Sequence, residues 1–224
     1  MDYPRLERTL RRDEGDHKFE MRNGVKKFYM YPDSDKPSKA VPTIGIGHNM
    51  RSKMTPLAYT ELYKAFTGED PPRIPTEPEA LPDGLLPKSN SDVVYDPPIE
   101  ISEEAAMELF EYDIKIAEGD AQRFLLSSGA WDKLGCDRQE VLVNMAFNLG
   151  FTRLNKFNKF RAAILEGVYS LDPDAADKAF KRAGEEMKDS NWWGQVKGRS
   201  KRLRDGWDAN DASKFDPTPY LSDN

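Results

Sequence analysis

Apolar and polar positions along this chain change period several times, and each change marks an element. Between Tyr3 and Asp13, Leu6 and Leu10 stand four apart among charged residues, which predicts a short helix with one apolar stripe. Glu14 closes that helix and Gly15 supplies the backbone freedom to leave it. From Lys18 to Arg22 the pattern alternates, Asn23-Gly24 is the strongest two-residue hairpin signal, and alternation resumes at Val25. Phe28 to Tyr31 reads as a strand, Pro32 to Ser38 as a turn-rich connector, and Thr43 to Gly47 as a second, glycine-interrupted strand. Gly45 and Gly47 weaken a strand, so their presence there predicts a close approach of backbone to another element or to a ligand.

Ser52 to Phe66 is helical, with Leu57, Leu62 and Phe66 on one side. Pro71 to Pro98 holds eight of the sixteen prolines and cannot propagate a helix or a central strand. Regular structure restarts at Ser102, a good N-cap followed by Glu103 and Glu104 near the positive end of a long helix. In that helix Ala105, Leu109, Tyr112, Ile116 and Phe124 keep helical spacing. After a break from Ala130 to Asp137, an apolar helix is predicted over Arg138 to Leu149, with helical spacing continuing through Phe157, Phe160, Ile164 and Leu165. A further helix over Asp174 to Met187 carries Ala175, Ala179 and Ala183 for close packing, and a polar tail is expected from Asp208 onward.

Composition narrows the classes of function. At 224 residues with 38% hydrophobic residues the chain can build a core of ordinary size. No apolar run approaches the length of a transmembrane helix, and the opening residues have no apolar stretch of signal-peptide kind. Stable membrane insertion is therefore not expected. A single cysteine, Cys136, rules out an intramolecular disulfide and fits a reducing compartment. The net charge of -6 disfavours nucleic acid as a partner. Two histidines, His17 and His48, without metal-ligand spacing predict no metal, and no cofactor motif is present. A locally basic stretch, Lys197 to Arg204, is either a solvated helix face or a surface for wall contact.

Three short motifs then occur in order. They are Asp13-Glu14-Gly15 at a helix end, Tyr31-Pro32-Asp33 before a loop, and Thr43-Ile44-Gly45-Ile46-Gly47-His48 in the next strand. Further on come Ile101-Ser102-Glu103-Glu104-Ala105, Asn144-Met145-Ala146-Phe147-Asn148-Leu149-Gly150 and Trp192-Trp193 followed by Gly198-Arg199-Ser200-Lys201-Arg202. Together these motifs resemble the glycoside hydrolase family 24 lysozymes, the muramidases of T-even phages and their relatives. The resemblance covers roughly positions 6 to 66 and 101 to 207 and passes over the proline-rich segment.

The fold class expected is α+β: a lysozyme-like arrangement with a small β-hairpin lobe and a larger helical lobe joined by a long helix. The corresponding boundaries are 1–66 for an N-terminal lobe, 67–101 for a proline-rich insertion, 102–125 for the connecting helix, 126–207 for the helical lobe and 208–224 for the tail. The resemblance implies cleavage of the β-1,4 bond between N-acetylmuramic acid and N-acetylglucosamine in bacterial peptidoglycan. Such chemistry needs one acid to protonate the leaving oxygen and one carboxylate to activate water. Glu14 is the expected acid, Asp33 the second carboxylate with Asp35 as fallback, and Thr43 the hydroxyl that holds the water.

The family's uninterrupted spacing would place the second carboxylate at Asn23, an amide, so the Asn23-Gly24 hairpin reads as an added stretch that shifts the role to Asp33. Asp33 also suits an Asx-turn after proline, and Thr43 suits an ordinary strand position. The resemblance further implies sugar contact by Phe147 and Asn148, an ion pair of His48 with Asp113, Arg199 near Glu14 and Arg202 near Asp13. Trp192 and Trp193 read as core rather than as a sugar platform. A monomer is expected, held in the host cytoplasm until release to the wall, or else a component of a phage tail or baseplate. A lytic transglycosylase and a non-catalytic wall-binding component are the competing readings.

Overall fold

The computed structural model describes residues 1–14, 19–32, 41–86, 98–188 and 190–211. Asp33, Asp35 and His17 lie outside the described residues, as does the tail from 212 onward. The described chain is mostly helical with small antiparallel sheets, an α+β composition. It divides into two compact units, one made of Glu14–Asp113 and the other of Met1–Asp13 with Ile114–Asn224.

In the Glu14–Asp113 unit, β1 (Phe19–Arg22) and β2 (Val25–Tyr29) form the hairpin that the alternating pattern predicts. Asn23 and Gly24 take positive φ, 52° and 77°, the left-handed pair that a two-residue turn between right-twisted strands requires. The predicted strand Phe28 to Tyr31 is instead split. β2 ends at Tyr29, and β3 (Tyr31–Pro32) belongs to a second sheet with β4 (Pro42–Ile44) and β5 (His48–Asn49). On its other side β2 takes up β6 (Glu100–Ser102), with Phe28 opposite Ile101, both buried.

The predicted strand Thr43 to Gly47 also needs correction. It runs only to Ile44, and Gly45-Ile46-Gly47 turn the chain so that His48 pairs back onto Ile44. Gly45 and Gly47 are turn residues with φ of 61° and 85°. α2 (Pro56–Thr67) starts with proline in its first turn and stops at Gly68 in a left-handed C-cap. The described part of the proline-rich segment forms no helix, and its one strand-like contact is a bridge from Glu79 to Met54.

α3 (Glu103–Phe124) begins where Ser102 predicts. The Ser102 hydroxyl accepts from the Ala105 N–H at 3.1 Å and donates to Glu61 of α2 at 2.6 Å, and Glu61 also accepts the Ser102 N–H. The buried stripe differs in part from the predicted one. Of the predicted residues Ala105, Leu109 and Phe124 are buried, Tyr112 is half-buried and Ile116 is half exposed. Ala106, Phe110, Ile114, Ala117 and Ala121 widen the buried face, and a stripe of period 3.6 through Ala106 drifts away from position 116.

In the other unit, α1 (Tyr3–Glu14, its last residue in the first unit) buries Leu6 and Leu10 fully. The predicted break from Ala130 to Asp137 is overlapped by a short helix, α4 (Ser128–Lys133), capped by Ser127. α5 (Cys136–Leu154) extends past the predicted end at Leu149 but is broken at Gly150. α6 (Asn158–Tyr169), α7 (Pro173–Lys188), α8 (Asn191–Gln195) and α9 (Lys197–Ala209) complete the unit. α9 carries Asp208 and Ala209, so the polar tail starts later than the composition suggested. The core here gathers Phe124, Phe160 and Trp207, with the Arg138 guanidinium stacked on Phe180 at 3.9 Å.

Candidate functional site

The last residue of α1 brings a carboxylate to the turn between β4 and β5. A Cβ placed on Gly47 would lie 3.0 Å from Glu14 Oε2 and 3.2 Å from its Cγ, so the Glu14 side chain rests directly on the glycine backbone. Two constraints thus coincide at Gly47: positive φ, and a space so tight that a Cβ would have to push the Glu14 side chain aside by a few tenths of an ångström. A Cβ added at Gly45 would meet the Ala106 Cβ of α3 at 3.5 Å, an ordinary contact, so there it is the positive φ alone that calls for glycine.

Thr43 sits on the central strand of the same sheet, opposite Tyr31 on one side and Asn49 on the other. It is buried, and its hydroxyl donates to the Val41 carbonyl at 3.1 Å. With its proton so committed, the oxygen retains lone pairs that accept. Asp33 follows β3 in the chain directly after Pro32, itself paired with Pro42; Asp33 and its fallback Asp35 lie outside the described residues. Asn23, the position where uninterrupted spacing would put the second carboxylate, is a hairpin turn residue.

His48 is buried, and its Nδ1 lies 2.8 Å from Asp113 Oδ2 and 3.0 Å from Oδ1, so Nδ1 carries the proton and donates. Its Nε2 is buried without a hydrogen-bond partner among the described residues. The contact ties the β5 strand to α3 within the Glu14–Asp113 unit.

In the unit of Met1–Asp13 and Ile114–Asn224, the residue before the candidate acid is held on several sides. Asp13 is 1% exposed and accepts from Arg202 at 2.7 Å and from Arg12 at 3.0 Å. Arg199 lies 3.5 Å from the same carboxylate, and its Nε donates to Asn144 Oδ1 at 2.8 Å. Arg202 is thus where the resemblance put it, beside Asp13, and Arg199 joins the same cluster. Asn144 is absent from the candidates that the sequence singled out. A fully buried amide inside the apolar run Val141 to Met145 is nonetheless the kind of position that signals a polar partner.

Phe147 and Asn148 lie half buried in the last turn of α5 before its break. Asn148 Oδ1 accepts from the Trp192 indole at 2.7 Å. An indole only donates, so this bond orients the amide and leaves its NH2 group as the remaining donor. Trp192, read from sequence as core, is indeed 5% exposed, yet it also orients a candidate contact residue. Among the described residues no group of His, Cys, Asp and Glu side chains converges to hold a metal ion. No described helix is long and apolar enough to cross a membrane.

No family model matches the sequence. The chain is similar to the pre-baseplate central spike protein Gp5 of Enterobacteria phage T4, with 29% identity over 194 residues. The match covers 87% of this chain and 26% of that protein, so the chain spans about a quarter of the length of the curated relative it resembles.

Proposed function

We propose that this chain is a phage tail-associated peptidoglycan hydrolase, a muramidase cleaving the β-1,4 bond between N-acetylmuramic acid and N-acetylglucosamine. The observation that carries the reading is the Glu14 carboxylate laid on the Gly47 turn, one short loop from Thr43. It is supported by the ordered motifs from Asp13 to His48 and by similarity to a baseplate spike protein over most of the chain.

In this reading Glu14 donates its proton to the glycosidic oxygen as the bond breaks, and positive charge develops on the sugar ring. Asp33 takes a proton from water attacking the opposite face, with Thr43 accepting that water's second hydrogen bond, and the anomeric centre inverts. Inversion requires carboxyl groups roughly 6.5–9.5 Å apart, with room for the water. Asn148 donates to an N-acetyl carbonyl beside Phe147. The tail assignment follows the spike-protein similarity; an endolysin released at lysis is the other place for the same chemistry.

A digest of purified sacculi tests this directly, comparing wild type with Glu14→Gln and Asp33→Asn. Each substitution is expected to lower turnover by about 10²–10⁴-fold, the usual contribution of a positioned acid or base. Fresh products should show the α-anomer of the new reducing end. Products ending in 1,6-anhydro sugars would replace hydrolysis with lytic transglycosylation. Wall binding with no loss of turbidity, unaltered by Glu14→Gln, would reduce the protein to a wall-binding component. Immunodetection in purified virions, against detection in lysates alone, separates the tail from the endolysin assignment.

A further inference from the structure

α5 does not simply end near Asn148; it breaks at Gly150 and resumes. Gly150 has φ 65° and ψ 163°, a region essentially reserved for glycine. A Cβ there would meet nothing within 4 Å, so the constraint is conformational rather than steric. A break of this kind orphans N–H groups on its far side, which must find other partners. The Phe151 N–H donates to Asp120 Oδ2 of α3 at 3.1 Å. Asp120 Oδ1 accepts from Arg123 at 2.8 Å, and the Arg123 guanidinium lies 3.6 Å from the centre of the Phe151 ring. The same two residues thus hold both the backbone and the ring of Phe151. Beyond it the chain is anchored again, with Leu154 buried and Asn155 Oδ1 accepting from Arg161 at 2.8 Å.

We propose that Gly150 and the Asp120–Arg123 pair form a latch that sets where the first arm of α5 ends, and that Asp120 and Arg123 are positioning residues for glycan contact. Phe147 and Asn148 occupy the last turn before the break, so their placement depends on how that arm terminates. The Trp192–Asn148 bond orients the amide, and the latch orients the turn that carries it. The inference rests on the assignment of Asn148 to sugar contact, but the latch has a readout that does not.

The test follows the indole N–H of Trp192 and the amide of Phe151 by NMR hydrogen exchange in wild type, Asp120→Ala, Gly150→Ala and Arg123→Lys. Trp207, whose indole donates to the Phe180 carbonyl at 2.9 Å, serves as reference. Asp120→Ala and Gly150→Ala are expected to speed exchange at both Phe151 and Trp192 by about tenfold, the effect of one lost hydrogen bond to a charged group, with Trp207 unchanged. Arg123→Lys keeps the charge but not the stacked plane and should fall between. On soluble peptidoglycan oligomers, Asp120→Ala should raise KM several-fold while kcat stays within about twofold. Faster exchange at Phe151 with Trp192 and KM unmoved would make the contacts local stability only and overturn the proposal. Faster exchange at Trp207 as well would mean general loosening and overturn it too. A wild type that cleaves nothing would sink the hydrolase reading, while the two exchange rates still decide the latch.

Discussion

Single positions in this protein carry more than one demand, and Gly47 is the clearest case. Its φ of 85° and the Glu14 oxygen 3.0 Å from any added Cβ make alanine doubly unsuitable. Gly24 offers a matched control, with φ of 77° and nothing within 4 Å. Alanine at either position is expected to cost about 1–2 kcal/mol from left-handed strain alone. Only Gly47→Ala should also depress turnover, since it pushes the proposed acid aside. Denaturation midpoints and wall-digestion rates on the two variants check this; equal activity would remove Gly47 from the positioning of Glu14. The close approach at this motif was legible in the sequence, because glycine weakens an apolar strand unless the backbone must turn or touch something there. That the partner is Glu14 was not legible, since nothing local to Gly47 points to a helix end far back in the chain.

Helix ends decide much at the next scale. α3 starts where the Ser102-Glu103-Glu104 pattern says it should, because a cap depends only on residues within one turn. The strand pairing of β6 with β2 and the clasp of Glu61 on Ser102 lie outside that range and could not be read. Ser102→Ala removes the cap and one bond to the Glu61 carboxylate, and a loss of about 1–2 kcal/mol is expected by denaturant titration. The same contrast accounts for the strand over Thr43 to Gly47: alternation and β-branching predict extension, while the turn at Gly45 is imposed by pairing of His48 with Ile44. Tertiary pairing outweighed local propensity there.

Across the folded molecule, buried charges are held by partners from distant parts of the chain. Glu140 is fully buried, and Arg5 of α1 meets it at 2.7 Å through one nitrogen and 2.8 Å through another. Hydrogen bonding to the Glu140 carboxylate raises the Arg5 pKa further. Arg5→Met strands a buried carboxylate, and a loss of about 3–5 kcal/mol is expected, with much of it recovered in Arg5→Met combined with Glu140→Met. Thermal unfolding of both variants measures it. Asp208 behaves oppositely. Burial raises its pKa, against the partial relief of Arg204 at 3.0 Å, and its Oδ1 has no partner among the described residues. A carboxyl raised above its unfolded value contributes stability below that unfolded value and loses it as pH rises through the folded one. Asp208→Asn cannot titrate, so its stability relative to wild type should increase from about pH 3 to pH 7 in parallel unfolding curves.

The amino-acid order by itself determined whatever rests on neighbours a few positions apart: the helix closing at Glu14, the Asn23-Gly24 turn, the cap at Ser102, the apolar run through Val141 to Met145. Such features arise from backbone sterics and hydrogen bonds closed within a turn of chain, so they can be read before anything folds. Only the tertiary structure decided that Glu14 lies on Gly47, that Arg12 joins Arg202 in gripping Asp13, and that Trp192 orients Asn148. All but the Arg12 contact join residues far apart in sequence. They hold because burial makes an unsatisfied charge or amide too costly to leave, and which distant group answers is settled by packing.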